Sequence, residues 1–429
     1  MDATVSSTQT AQASLTPLDH LTKLVRTLGP GILTATAAIG GSHLVASTQA
    51  GAKFGWSLVV LILLVNLLKY PFFRAGVSYT MATGHTLQHG YAQMGKGYIG
   101  LAFVLNIFSA VVNTSALTLF SASLLGYFLP AALPLTLLSL IVLGMSLLIV
   151  LAGHFAMLNR VSKFIMVTLA ISTVVAVSIA WHNGPVAPVG YVSPSPWTLA
   201  SVGFLVVTMG WMPAPIEISC LTSLWLAKQR TEQEVTPRSA MFDFNLGYIV
   251  TAALAVIFLG LGALVLHGNG QELATGGIGF SHQLVGMYAQ TIGEWSRPLI
   301  ALVAFFCIFG STITVVDGYS RALAEAWQLL RDHEHYSEKV FTRWVLGVAL
   351  VCVAILFFFK SALLIMLGFA MTMAFMTTPV FAWLNHHLVK TAQMPAELRH
   401  NTFVMTLSYL GLFYLFGFLA LFAWWKWLM

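Results

Sequence analysis

The amino-acid sequence predicts an all-α polytopic membrane protein, and three observations carry that expectation. Hydrophobic residues make up 58% of the chain and charged residues only 8%, against roughly 25% charged in soluble domains. Apolar runs of about 20 residues, the length that crosses a bilayer as a helix, recur from one end of the chain to the other. Two of those runs carry helix breakers at their centres. Lipid tolerates such breaks only where protein or a water-filled cavity satisfies the freed backbone.

The first of eleven expected spans covers roughly residues 29–52 and is one of the broken ones, with Gly40-Gly41-Ser42-His43 at its centre. Spans 2 to 5 follow at 56–80, 98–124, 133–152 and 156–181. Span 6, at 199–226, is the second broken one. Gly210, Pro213 and Pro215 interrupt it, and Glu217 lies just beyond. Spans 7 to 11 occupy 241–266, 298–323, 341–359, 362–384 and 402–425. The broken spans are the first and the sixth, so five spans precede an upside-down second five. This is an inverted repeat of 28–181 and 199–384, with 402–429 as an appended eleventh span and 1–27 as an N-terminal tail. Interrupted spans at corresponding positions of two repeats point to a substrate site.

Little chain remains for anything else. The polar stretches at 1–27, 266–297 and 325–343 are too short to bury a core of their own. Cys220, Cys307 and Cys352 all fall in apolar spans and read as small hydrophobes, not as a disulfide or metal framework. No cleavable signal peptide and no lipidation motif is expected. No nucleophile–base constellation stands out, and His333 and His335 sit in a polar loop, so no enzyme and no resident cofactor are expected.

The basic residues orient the chain. With the N-terminus inside, 14 of the 20 Lys and Arg residues fall on inner segments and 4 on outer ones, as membrane topology requires. The expectation is a multi-pass protein of the plasma (cell inner) membrane, with a cytoplasmic N-terminus and the C-terminus outside. The net charge of +6 is then spread along one membrane face. That distribution speaks for the lipid bilayer as partner and against nucleic acid.

At the first break, two glycines let the chain leave the helix, and Ser42 is a good N-cap for the outer half. The N–H groups of residues 43–45 would then face a cavity with a positive helix end behind them, which is an anion site. Close helix packing through small residues is the competing reading. His43 is the one histidine deep in a span; it suits a ligand, a proton carrier or a hydrogen-bonded core residue. Glu217 suits a proton carrier, a cation ligand or a capping carboxylate in the first turn after Pro215. Met212 offers a soft sulfur ligand. Asp317, near the inner end of span 8, is expected to pair with Lys69 or Arg74 or to form part of an inner gate. Asp243 is expected to cap the start of span 7.

Several stretches carry a family likeness. Gly29-Pro30-Gly31 followed by Gln49-Ala50-Gly51-Ala52 resembles the first membrane helix of the Nramp divalent-metal transporters, which read GPG, DPGN and QAGA at this spacing. Met212-Pro213 resembles their MPH motif. Residues 242–245 resemble the start of their seventh helix, Ser311-Thr312-Ile313-Thr314 their SSTIT, and Phe375 with Pro379 their PFxxxP. The resemblance implies a fold of the leucine-transporter type, alternating access, and coupling to Na⁺ or H⁺. It also places Ala37, Ser311, Thr312 and Asp317 where a coupling ion would be handled.

The chain departs from that pattern at the metal site. Gly40 stands in place of the binding aspartate, His43 in place of the asparagine, and Ala214 in place of the sixth-helix histidine. The acidic positions of the third helix fall near Asn113 and Ala116, and the glutamine of span 10 is missing from residues 364–368. The expected function is therefore ion-coupled secondary transport with a changed cargo. The leading expectation is a small anion such as bicarbonate or a short carboxylate, bound by Gly40, Gly41, Ser42, His43, Met212, Ala214 and Glu217. The alternative is a divalent metal held by His43, Met212 and Glu217, all acceptable ligands. A neutral or cationic organic solute is the third reading.

Overall fold

The computed structural model describes residues 29–129, 133–153, 155–270, 274, 277–333, 337–359 and 362–428. The N-terminal tail 1–27, His335, Lys23, Arg26 and Lys360 lie outside them. The described residues are helical throughout, with connecting turns and no strand. Among the described residues, seven helices are long and apolar enough to cross a membrane, and three shorter apolar stretches accompany them at Leu135–Leu151, Val167–Asn183 and Leu199–Trp211.

Span 1 is split into α1 (Pro30–Ala38), a π-helical turn (Ser42–Ser47) and α2 (Thr48–Phe54). The second span is α3 (Val59–Thr83), followed by a short α4 (Leu87–Met94) and then α5 (Lys96–Leu125). Next come α6 (Leu135–Leu151) and α7 (Phe155–Asn183). Span 6 is split into α8 (Val202–Trp211) and α9 (Ile218–Glu232). The remainder are α10 (Pro237–Val265), α11 (Gly277–Ile292), α12 (Arg297–Leu330), α13 (Glu338–Phe359), α14 (Leu363–Thr391) and α15 (Thr402–Trp427).

The broken spans are held at the centre by long neighbours. Both halves of span 1 lie along α10, α8 lies against α14, and α12 packs along α5. Glycines let backbones touch here. A methyl group on Gly51 would collide with the Leu259 carbonyl of α10, and one on Gly210 with the Met371 carbonyl of α14. Gly210 thus serves helix packing as well as the break beside it.

Two local expectations are corrected. The stretch 266–297 contains a helix, α11, whose Phe280, Leu284, Met287 and Tyr288 are buried. Their spacing marks one face of an amphipathic helix that lies against the bundle. Asp243 does not cap its own helix, because α10 starts earlier, with a capping box at Thr236 and Ser239. Its carboxylate instead accepts the Gly31 and Ile32 N–H groups, at 2.7 and 3.3 Å. It therefore satisfies free donors at the start of α1, where a negative charge also suits the helix dipole.

Candidate functional site

The two breaks face each other around a small cavity of about 30 Å³, enough to hold a water molecule. Its wall comes from Ala37, Ala38, Gly41 and Ser42 of span 1, from Trp211, Pro213, Ala214, Pro215 and Ile218 of span 6, and from Asn113, Leu117, Val315 and Tyr319. No carboxylate stands in that wall.

The break in span 1 is short. A turn at residues 39–40 separates α1 from the π-helical segment, and the Leu44 N–H already reaches the Gly40 carbonyl at 3.2 Å. The expected array of free N–H groups at residues 43–45 is therefore reduced, since the wide turn uses one of them. Ser42 does not cap the outer half; its hydroxyl donates backwards to the Ala38 carbonyl. Gly41 has ordinary right-handed helical angles, φ −60° and ψ −31°. Its lack of a side chain matters for space: a Cβ there would strike the Trp211 ring. Gly40 lies against Ser311 in the same way, with a built Cβ 3.0 Å from the hydroxyl.

His43 is fully buried and turned away from the cavity. Its Nε2 donates to the Thr251 carbonyl of α10 at 2.8 Å. Its Nδ1 faces Ser42 Oγ at 2.7 Å and the Ala38 carbonyl at 3.1 Å. The ring thus ties the broken end of α1 to α10, and both ring nitrogens have oxygen partners.

The break in span 6 is longer and runs from Met212 to Glu217. Met212 has an extended backbone, two prolines follow, and hydrogen bonding resumes where the Ile218 N–H reaches the Pro215 carbonyl at 3.1 Å. The Met212 side chain is buried among Met209, Leu205 and Phe375 and does not line the cavity. Ala214 does line it. Glu217 is fully buried and makes no capping bond with its side chain. One carboxylate oxygen accepts the Tyr319 hydroxyl at 3.4 Å; the other has no hydrogen-bond partner. Tyr319 in turn receives Asn113 Nδ2 at 3.1 Å. Thus Asn113, at one of the positions expected to carry a third-helix acid, joins the Glu217 network as a neutral donor.

The residues expected at a coupling site divide. Ser311 donates to the Thr36 carbonyl at 3.2 Å and to the Cys307 carbonyl at 3.1 Å, beside Ala37. Thr312 pairs with Ser121 at 2.8 Å. Asp317 binds neither Lys69 nor Arg74; Arg321, one turn along the same helix, grips both its oxygens at 2.8 to 3.0 Å.

The sequence reading missed Lys69, Trp211 and Tyr319. Lys69 is fully buried and donates to the carbonyls of Met209, Gly210 and Ala214 at 2.8, 3.2 and 3.3 Å. The signal was its place in the apolar run VNLLKYPFF, where an ionisable residue is a functional candidate. Trp211 faces the cavity, and its indole N–H has no partner. Nothing in the sequence sets that tryptophan apart from the other eleven.

Comparison with known proteins agrees with this architecture. Residues 31–424 match the family described as natural resistance-associated macrophage protein-like, or Nramp. An uncharacterized protein of Pasteurella multocida is 49% identical over 398 residues, covering 92% of this chain and 91% of its own. A manganese transporter of Eremococcus coleocola, solved with an aromatic bis-isothiourea compound, superposes with a TM-score of 0.65 at 16% identity, over 97% of this chain and 90% of its own. MhsT bound to L-phenylalanine superposes with a TM-score of 0.60 at 13% identity, over 92% and 97%. The fold is of the leucine-transporter type, and the chain belongs to the Nramp family of membrane transporters.

Proposed function

We propose that the cavity between the two breaks is the substrate site of an ion-coupled, alternating-access transporter whose cargo is a small anion, such as bicarbonate or a short carboxylate. The observation that carries this reading is the cavity wall. Among the described residues it has no carboxylate, Gly40 stands where the resembled metal site has its aspartate, and Trp211, whose indole N–H has no hydrogen-bond partner, is one of the lining residues. Lys69, bound to the carbonyl of the wall residue Ala214, adds a buried positive charge nearby. Ser42 and Tyr319 also line the cavity, with their hydroxyls donated to Ala38 and Glu217. The cavity, at about 30 Å³, is smaller than any of these cargoes, so cargo entry requires the halves of spans 1 and 6 to move.

Either Na⁺ or H⁺ serves as the coupling ion. Ser311 and the Thr36 carbonyl beside Ala37 form an oxygen cluster suited to Na⁺; Glu217, with one oxygen unpartnered, suits a proton. The basic-residue bias supports placement in the plasma membrane with a cytoplasmic N-terminus.

A divalent cation held by His43, Met212 and Glu217 is the second reading, favoured by family membership and by the manganese transporter among the structural relatives. The described side chains give it less support. His43 bonds to Thr251, Met212 lies in a buried apolar cluster, and Glu217 faces Tyr319. Uptake into proteoliposomes decides between the two. Labelled bicarbonate and short carboxylates should accumulate under a Na⁺ or pH gradient while Mn²⁺ does not. Gradient-driven Mn²⁺ uptake without anion uptake would reverse the assignment.

A further inference from the structure

The break in span 6 leaves a problem that its own residues do not solve. The last carbonyls of α8 have no helical partner and gather at the negative end of the helix dipole. In a membrane interior such groups need a donor or a cation. The donor comes from α3. Lys69 carries three protons on Nζ, and three carbonyls receive it, those of Met209 and Gly210 at the end of α8 and that of Ala214 inside the break. No part of the lysine is exposed.

This arrangement has the chemistry of a monovalent-cation site. The ligands are backbone oxygens from two sides of an unwound segment, and the occupant is a single positive charge. We propose that the carbonyls of Met209, Gly210 and Ala214 form an ammonium site filled by the side chain of Lys69. Truncating Lys69 would open that site to a free alkylammonium ion. The inference holds for either cargo, because it concerns what keeps the break open in its shape.

The geometry sets the test. Lys69→Ala removes three methylenes and the ammonium, so n-propylammonium replaces what is lost. The readout is thermal unfolding of the purified full-length protein, followed by tryptophan fluorescence. Lys69→Ala should lower the midpoint by about 5 °C or more, the scale on which loss of a buried charge interaction shows. Millimolar n-propylammonium should restore at least half of that fall. Propanol should not, and neither additive should shift Lys69→Met, whose side chain fills the space without charge. A Lys69→Ala midpoint equal to wild type would overturn the proposal, as would equal rescue by propanol and propylammonium, or no rescue by the amine. If Lys69→Ala does not fold, Lys69→Gln carries the test: it keeps most of the length and a donor but no charge. Its midpoint should fall below wild type, and a wild-type midpoint would show that no cation is needed there.

Discussion

The breaks in spans 1 and 6 solve the same physical problem from different sources. Both leave helix-end carbonyls inside a membrane protein, where an unsatisfied polar group costs several kcal/mol. The first break is sealed mainly from within: Ser42 donates to the Ala38 carbonyl, and His43, its neighbour in sequence, rests against Ser42 and donates to the Thr251 carbonyl of α10. The second break is wider, has two prolines that contribute no N–H, and needs Lys69 from another span. A local device is built to be stiff. A device that borrows its cation from α3 changes whenever α3 and span 6 move relative to one another. The comparison therefore predicts a larger rearrangement in span 6 than in span 1 when the halves of both spans move.

The largest effect should come from filling the space between the two breaks. Gly41→Val places a branched side chain on the Trp211 ring. Overpacking of this kind costs about 1–3 kcal/mol, and uptake of the cargo should be lost altogether. Gly368→Ala is the matching control, since nothing lies near that position, and it should transport at the wild-type rate. Full activity in Gly41→Val would show that the two breaks need not touch.

Next comes Glu217→Gln. The amide keeps the size and the Tyr319 contact while removing the carboxylate's capacity to hold a charge or a transferable proton. Transport should fall by about tenfold or more, the effect of a cost near 1.4 kcal/mol or above, with the protein still monodisperse. A stability loss with unchanged transport would instead make Glu217 a purely structural residue.

The smallest effect on transport is expected at the self-sealed break. His43→Ala removes the ring's hydrogen bonds to Ser42 and to the Thr251 carbonyl, at about 1–3 kcal/mol. The account predicts lower stability in denaturant or heat, and a transport rate per folded molecule that changes less than in Glu217→Gln. If His43→Ala folds as well as wild type but does not transport, His43 acts in transport directly, and the contrast between the breaks fails.

How much of this was legible in the sequence follows the same division. The breaks, the helical spans and the family likeness were legible because they rest on composition, on period and on Gly, Pro and Ser at fixed offsets. The Ser42–His43 pair was visible as residues at a break, although Ser42 turned out to be a donor to the inner half instead of a cap for the outer half. The amphipathic α11 carried its signal at Phe280, Leu284, Met287 and Tyr288 but was submerged in a polar stretch. Lys69 was visible only as a charge in an apolar run, since what it binds lies some 140 residues away in sequence. The same holds for Asp243, which caps a helix 212 residues earlier, and for Asp317, whose nearest cation proved to be Arg321 on its own helix. Contacts of this range depend on how helices cross, and no local pattern encodes that.

The central claim is that this site has exchanged a metal's compensating charge for an anion's donors. Calorimetric titration of the purified protein with Mn²⁺ tests it most directly. Losing one partner of a buried charge pair costs about 3–5 kcal/mol, a factor of several hundred or more in affinity. The account predicts no saturable Mn²⁺ binding in the micromolar range. Tight, saturable Mn²⁺ binding that disappears in Met212→Ala would contradict it and restore the divalent metal as cargo.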